Sequence, residues 1–161
     1  MNRQKGFSLI ELLAVVAILG VLSATALALY QTWIGRARGS EAAIMIKQII
    51  DAEITYFLEN DEFYPNNAEY NIYHTGETDP LEVEDKNIID AIEDKLKIRI
   101  PTGHFLDYTL IGIDDGTSKS FQIQIQSAKG FRFKIAPSVD PTLLIGSVNE
   151  KGEIIFMSPY H

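Results

Sequence analysis

The apolar residues of this chain are concentrated near its N-terminus. Residues 12–35 contain no charged side chain, and the stretch from Leu12 to Tyr30 is almost entirely Leu, Ala, Val and Ile. At about 1.5 Å of rise per residue, a helix of this length spans the hydrocarbon core of a bilayer. The pattern therefore predicts a membrane-spanning helix.

Helical periodicity continues beyond that span. Between Ser40 and Leu58, apolar residues recur at i, i+3 and i+4 spacing with charged residues between them. The positions predicted to face a core are Ala43, Ile46, Ile49, Ile50, Ile54, Phe57 and Leu58. We therefore expect one helix from about Ser8 to Glu59, with an apolar first half and an amphipathic second half.

The helical pattern ends at a predicted turn over residues 60–67. Pro65 disfavours the helical conformation in the residue before it, and the two asparagines that follow favour a turn. Residues 68–86 are acidic and are predicted to form a loop. Residues 87–98 then predict a short amphipathic helix, which Pro101 closes.

From residue 105 onward the apolar period changes to two, as in Phe121, Ile123 and Ile125, which alternate with glutamines. The predicted strands cover residues 105–113, 120–126, 131–136, 143–148 and 153–157. The turn signals between them are Asp114-Asp115-Gly116 and Ala128-Lys129-Gly130. An antiparallel sheet of four or five strands needs a cover for its apolar face, and the outer half of the long helix supplies one. The predicted class is α+β.

The net charge of -8 is the sum of two unlike parts. Residues 1–39 carry a charge of +3, whereas residues 40–161 carry -11. An acidic domain offers no basic face for nucleic acid, so we expect no specific nucleic-acid partner. The chain has no cysteine, which excludes disulfides and thiolate metal sites. Arg3 and Lys5 favour a cytoplasmic N-terminus and an exported acidic domain, although Arg36 and Arg38 flank the span on the other side.

Glu11 is the one acid within residues 1–39. A carboxylate at the edge of an apolar span costs on the order of a few kcal/mol in lipid unless it is paired or protonated. A cut between Gly6 and Phe7 would create an α-amino group near it. That cation could neutralise Glu11 of the same helix or of a neighbouring one.

The segment Lys5-Gly6-Phe7-Ser8-Leu9-Ile10-Glu11-Leu12-Leu13 resembles the class III leader and helix start of type IV pilins and type II secretion pseudopilins. The resemblance implies that a prepilin peptidase cleaves after Gly6 and methylates the new N-terminal Phe7. It also implies that Glu11 of one subunit meets the methylated amine of another in a helical filament.

The resemblance further implies the pilin fold, in which the long N-terminal helix packs on a C-terminal antiparallel sheet. The chain would then divide into a cleaved leader (1–6), a transmembrane and assembly half of the helix (7–35), and an exported head (36–161). The precursor is expected in a bacterial inner membrane, and the product in a cell-surface pilus or a periplasmic pseudopilus. The expected partners are further copies of the chain, the prepilin peptidase and an inner-membrane assembly platform.

Three glycines are candidate weak points of the helix: Gly20, Gly35 and Gly39. Each costs up to ~1 kcal/mol relative to Ala in a helix interior, but small residues also allow close helix packing. Both interpretations stay open. Many type IV pilins have a Pro where this chain has Ala28, so local melting of the helix stays open as well.

Several alternatives to a pilus subunit remain. A cleaved secretory signal would need a small-x-small site, which Ala24-Thr25-Ala26 could supply. A pseudopilin of a secretion or DNA-uptake system has the same leader, although the full predicted sheet favours the pilus. A membrane-anchored extracytoplasmic binding domain is the alternative of a different class.

The remaining residues indicate no enzyme, metal or cofactor. His74, His104 and His161 lack the spacing of a metal site, and Asp114-Asp115-Gly116 is too short for an EF-hand loop. The serines lack a nucleophile motif, and no glycine-rich phosphate loop is present. We therefore expect a structural protein.

Overall fold

The computed structural model describes residues 8–72, 83–101, 106–127, 133 and 142–157, except for the side chains of 28 and 83–85. Within these ranges the helices are α1 (Leu9–Asn60) and α2 (Val83–Leu96). The strands are β1 (Glu69–Ile72), β2 (Leu106–Asp114), β3 (Lys119–Ser127), β4 (Leu143–Asn149) and β5 (Ile154–Met157). The α+β class predicted from the sequence is confirmed.

The chain divides into two compact units, Met1–Ile34 and Gly35–His161. In the first unit, the described residues from Leu9 onward are helical, and most of their large apolar side chains are exposed. The second unit contains the rest of α1, together with α2 and the sheet. The hydrophobic core lies in this second unit.

Helix α1 has the extent that the sequence predicts, within one residue at each end. Its last residue is Asn60, and Asp61 follows with a φ of 58° and donates its N–H to the Phe57 carbonyl over 2.8 Å. A residue in the left-handed conformation is a common way to satisfy the last carbonyls of a helix. The turn predicted after Glu59 is therefore present, and the chain reverses there towards the sheet.

The five described strands form one antiparallel sheet in the order β1-β2-β3-β4-β5. The central strands alternate between buried and half-buried residues, as a sheet with one covered face requires. Leu110 of β2 pairs with Ile123 of β3, and Ile123 pairs with Gly146 of β4. The hairpin predicted at Asp114-Asp115-Gly116 joins β2 to β3.

The second half of α1 covers the sheet. Ile46, Ile49 and Ile50 are buried together with Leu110 and Ile123 in one cluster. At Gly146 the helix comes so close that an added Cβ would lie 2.8 Å from both Ile46 Cγ2 and Ile50 Cδ1. The apolar stripe of the helix therefore packs on the sheet, as expected.

The buried stripe of α1 differs from the predicted one at some positions. Ala43 is exposed and Leu58 is 79% exposed, whereas Ala42 and Met45 are buried. A helix turns about 100° per residue, so residues at the border of the stripe lie beside the sheet rather than over it. The prediction was wrong at Ala43 and Leu58.

The loop predicted for residues 68–86 was also wrong in part, because Glu69–Ile72 form β1. This strand is only four residues long, and its order depends on pairing with β2, where Ile72 opposes Tyr108. Helix α2 begins earlier than predicted and ends at Leu96 instead of Ile98. Lys97 follows with a φ of 56° and ends it.

The predicted strand 131–136 lies outside the described residues apart from Phe133. That residue is fully buried in the core cluster and is not in a strand. The predicted turn at 128–130 also lies outside the described ranges.

Candidate assembly site at the start of the helix

Ser8 and Glu11 close the N-terminus of α1 reciprocally. The backbone N–H of Ser8 donates to Glu11 Oε2 over 2.9 Å, and the backbone N–H of Glu11 lies 3.4 Å from Ser8 Oγ. This is a capping box, in which the residue before the helix and the third helical residue each satisfy the other's free N–H. The capping box therefore defines the start of the helix at Leu9.

Gly6 and Phe7, the predicted cleavage and methylation residues, lie outside the described residues. Glu11, the predicted neutralising acid, accepts its hydrogen bond from Ser8 N. The next nitrogen towards the N-terminus is that of Phe7. Along the chain, cleavage after Gly6 would leave its new amine one residue before the N–H that Glu11 accepts.

The sequence interpretation assigned a role to Glu11 but not to Ser8. The signal was available, since a Ser followed three residues later by a Glu and then by an apolar run is the signature of a capping box. The structure therefore gives Glu11 a second, local function in addition to the predicted electrostatic one.

The helix that follows presents apolar side chains on all sides. Leu9, Leu19 and Leu29 are each more than half exposed, and so is Trp33. Among the described residues, α1 is the helix that is long and apolar enough to cross a membrane. A helix that is apolar all round requires lipid or other helices around this half.

The predicted weak points do not interrupt α1, which runs continuously through Gly20, Ala28, Gly35 and Gly39. At Gly20 an added Cβ would meet no atom within 4 Å. Thr25 Oγ1 donates to the carbonyl of Leu22 over 2.9 Å, so this hydroxyl is satisfied within the helix. A polar residue is thus accommodated in the apolar half without a partner from another helix.

A second polar feature lies in the head, where Glu53 is completely buried. Its Oε2 accepts a hydrogen bond from the backbone N–H of Tyr64 over 2.9 Å, while Oε1 has no hydrogen-bond partner. Burial raises the pKa of Glu53 to about 8, and the hydrogen bond from Tyr64 opposes that rise. Glu53 is therefore mainly protonated at neutral pH.

The sequence interpretation missed Glu53. Its position carried the signal, because Glu53 follows Ile49 and Ile50 at helical spacing and thus lies on the predicted apolar stripe. A carboxylate there must point into the core between helix and sheet. Its effect is to hold the segment after α1 against the helix.

Further contacts fix this segment, residues 61–68, on the sheet. Lys119 Nζ lies 3.0 Å from Asp61 Oδ2. Gly112 donates its N–H to the Ala68 carbonyl over 3.0 Å, and an added Cβ on Gly112 would lie 1.6 Å from the Pro65 oxygen. The segment therefore crosses β2 at Gly112, which has no side chain to obstruct it.

No group of three or more His, Cys, Asp or Glu that could hold a metal ion occurs within the described ranges. His74, His104 and His161 lie outside those ranges. Asp115 is engaged locally, since its carboxylate accepts from the N–H groups of Ser118 and Thr117, which lower its pKa. This arrangement is that of a hairpin turn.

Comparison with known families finds a match at the N-terminal segment. The family described as "Prokaryotic N-terminal methylation motif" matches residues 1–27, which include Gly6, Phe7 and Glu11. The N-terminal segment carries this methylation motif. The resemblance seen in the sequence is thereby confirmed for the part of the chain that the motif covers.

The relatives of the chain are pilus proteins. It is 40% identical over 74 residues to a fimbrial protein of Neisseria meningitidis serogroup B, which covers 46% of this chain and 44% of the relative. It is 43% identical over 65 residues to the type IV major pilin protein PilE1 of Neisseria gonorrhoeae, covering 40% of this chain and 39% of the relative. It is 37% identical over 82 residues to a fimbrial protein of Pseudomonas aeruginosa, covering 48% and 53%.

The chain thus spans about half or less of the length of these relatives. No solved structure matches the chain. The methylation motif covers residues 1–27, and each of these similarities covers less than half of this chain.

Proposed function

We propose that this protein is a structural subunit of a type IV pilus, processed by a prepilin peptidase and polymerised through α1. The observation that carries the proposal is the position of the Ser8–Glu11 capping box, within the methylation motif and directly before an exposed apolar helix. The similarity to fimbrial proteins and to a type IV major pilin supports it. The residues expected to serve in cleavage, methylation, charge neutralisation and the start of the helix then lie within a few positions of one another in the sequence.

Glu11 is the residue that links processing to assembly. Cleavage after Gly6 leaves Phe7 as the first residue, with an amine that remains cationic after methylation. This amine neutralises Glu11, either within the same subunit or across to a neighbour. In a water-free filament core the pair chiefly sets the register between helices, because an unpaired charge there is strongly unfavourable.

The exposed apolar half of α1 needs an apolar environment both before and after assembly. Before assembly it is covered by the lipid of the inner membrane, with residues 1–6 on the cytoplasmic side. In the filament it is covered by the same helix of other copies. Since lipid tails are as apolar as leucine, the transfer between the two environments is driven by helix packing and by the Glu11 pair.

The division of the chain follows from this role. Residues 1–6 are the leader, residues 7–35 anchor and then assemble the subunit, and residues 36–161 form the exported head. The partners are further copies of the chain, the prepilin peptidase and an inner-membrane assembly platform. The precursor resides in the inner membrane and the mature subunit in the pilus.

Electron microscopy of material sheared from the cell surface tests the proposal. Filaments that contain this chain, and that disappear when its gene is deleted and return on complementation, support a pilus. Filaments confined to the periplasm would indicate a pseudopilus instead. A chain that stays in the membrane fraction without any filament would indicate an anchored binding domain.

A further inference from the structure

The last strand of the sheet, β5, exposes apolar side chains on both of its faces. The exposed fractions are 42% for Ile154, 54% for Ile155, 60% for Phe156 and 52% for Met157. In the described sheet β5 is an edge strand, paired with β4 alone. Edge strands of monomeric proteins are usually protected by charges, prolines or cover, and β5 contains neither a charged residue nor a proline.

A groove continues this apolar surface onto the helix. Phe156 and Met157 line it together with Ile145 of β4 and with Ala43 and Lys47 of α1, and its volume is about 420 Å³. Among the described residues that line the groove, Lys47 carries a charge and none is a carboxylate. We call β5 and this groove the β5 surface.

We infer that the β5 surface is the contact through which the head of one copy binds the head of a second copy of this chain in the filament. This inference rests on the proposed function. Contiguous apolar patches that remain exposed on a domain commonly mark protein interfaces. In a polymer of identical subunits, the neighbour of each head is another head.

The charge distribution selects the same partner. Residues 40–161 carry a charge of -11, so two heads repel each other over most of their surfaces. The β5 surface is an exception, because its groove combines apolar walls with a lysine. A second acidic head can approach there without repulsion.

The same lysine determines the kind of contact. A two-fold symmetric contact would place Lys47 of one groove near Lys47 of the other, which is unfavourable. A heterologous contact instead sets Lys47 against an acidic surface elsewhere on the next copy. Heterologous contacts that do not close into a ring generate helical filaments, which matches the proposed assembly.

Photo-crosslinking in the assembled filament tests the contact. Phe156 is replaced by p-benzoylphenylalanine in the full chain, which retains an aromatic side chain at that position. We expect an adduct of twice the subunit mass, joined to the head of a second copy. The same probe at Leu58, which is also apolar and exposed on the head, should give at least tenfold less of it.

Other outcomes of the crosslinking would overturn the inference. These are an adduct only with lipid, an adduct only within the same chain, for instance with residues 158–161, or an adduct with a different protein. Equal yields of subunit dimer from the Phe156 and Leu58 probes would overturn it too. Such a result would show that the contact is not specific to the β5 surface.

A charge reversal provides an independent test. Lys47 is exposed, so Lys47→Glu should fold, and we expect it to reduce the filament yield about tenfold through repulsion between heads. Lys86→Glu changes the net charge equally at an exposed position of α2 outside the groove, and should leave the yield unchanged. Subunit level and the cleaved N-terminus at Phe7 are measured in both variants.

These measurements separate this inference from the proposed function. If the unaltered chain forms no filament, the proposed function fails and the inference fails with it. If the unaltered chain forms filaments, but Lys47→Glu does so equally well and the Phe156 probe gives no subunit dimer, the inference alone is overturned.

Discussion

The backbone N–H of Tyr64 donates a hydrogen bond of 2.9 Å to the carboxyl group of Glu53, which is completely buried between α1 and the segment that follows it. Eleven residues separate the two in sequence, so the bond holds the chain reversal after the helix. The rings of Tyr56 and Tyr70 each pack edge-on against Tyr64, at centroid distances of 5.8 and 5.7 Å. The reversal is thus built around one buried acid.

Glu53 should make the stability of the head dependent on pH. Burial raises its pKa in the folded protein to about 8, above the value near 4.5 of an exposed glutamate. Between these values the folded state binds more protons than the unfolded state, so the free energy of unfolding should fall as pH rises and level off above pH 8. The expected loss between pH 5 and pH 9 is on the order of 3 kcal/mol.

The measurement is urea unfolding of the full chain in detergent, followed by near-ultraviolet circular dichroism of the head tyrosines. Glu53→Gln should remove most of the pH dependence, since Gln stays neutral and can still accept from Tyr64. Glu59→Gln, at an exposed position of the same helix, should leave the dependence unchanged. Equal stability of the unaltered protein at pH 5 and pH 9 would contradict the role of Glu53.

Of Gly112, Gly116 and Gly146, Gly112 should tolerate substitution least. A Cβ there would lie 1.6 Å from the Pro65 oxygen, which is a backbone atom and cannot move without shifting the segment after α1. At Gly146 a Cβ meets only side-chain atoms, 2.8 Å away, which can partly adjust. We expect Gly112→Ala to lower the free energy of unfolding by about 3 kcal/mol or more, and Gly146→Ala by about 1–3 kcal/mol.

The same urea titration compares the two glycine variants. Gly116→Ala is the control for a strained but uncrowded position, since Gly116 has a φ of 77° and no atom near its added Cβ. Its cost should be about 1–2 kcal/mol from backbone conformation alone. If Gly112→Ala proved as mild as Gly116→Ala, the close approach of Pro65 would not be a feature of the protein.

Two functions of Glu11 can be separated by one substitution. Gln also serves as the third residue of a capping box, so Glu11→Gln keeps the hydrogen bond to Ser8 N but removes the charge. We expect this variant to be inserted and cleaved normally and to give few filaments. Glu11→Ala, which removes both cap and charge, should behave in the same way.

Ser8→Ala is the matched variant for the cap. It removes Ser8 Oγ, at a cost of about 1 kcal/mol to the helix start, and leaves the charge of Glu11 in place. Filaments should therefore persist. The measurement is the amount of subunit in sheared filaments relative to the membrane fraction. Normal filament yield from Glu11→Gln would show that Glu11 acts only through the cap.

The sequence predicted those parts of the fold whose pattern is long and local. Helix α1 follows from its apolar run and the periodicity after Ser40, and the β2–β3 hairpin follows from alternation on both sides of Asp114-Asp115-Gly116. Strand β1 could not be predicted in this way. Its four residues have no clear alternation, and they are ordered by pairing with β2, which is distant in the sequence.

Only part of the candidate site could be predicted from the sequence. The motif from Gly6 to Glu11 indicated processing, and the family comparison confirms the motif. Glu53 was recoverable from its place on the apolar stripe, but its partner was not, because the bond to Tyr64 depends on how the chain reverses after Asp61. The β5 surface was hidden as well, because four consecutive apolar residues also fit a strand buried on both faces, and its edge position depends on the strand order of the sheet.

The proposed function depends on cleavage after Gly6 and assembly from Phe7 onward. Mass spectrometry of the N-terminus of the native protein, taken from sheared filaments and from membranes, tests it directly. We expect a mature chain that begins with N-methylated Phe7 in the filaments. An intact Met1, or a chain that begins near Ala26, would contradict it.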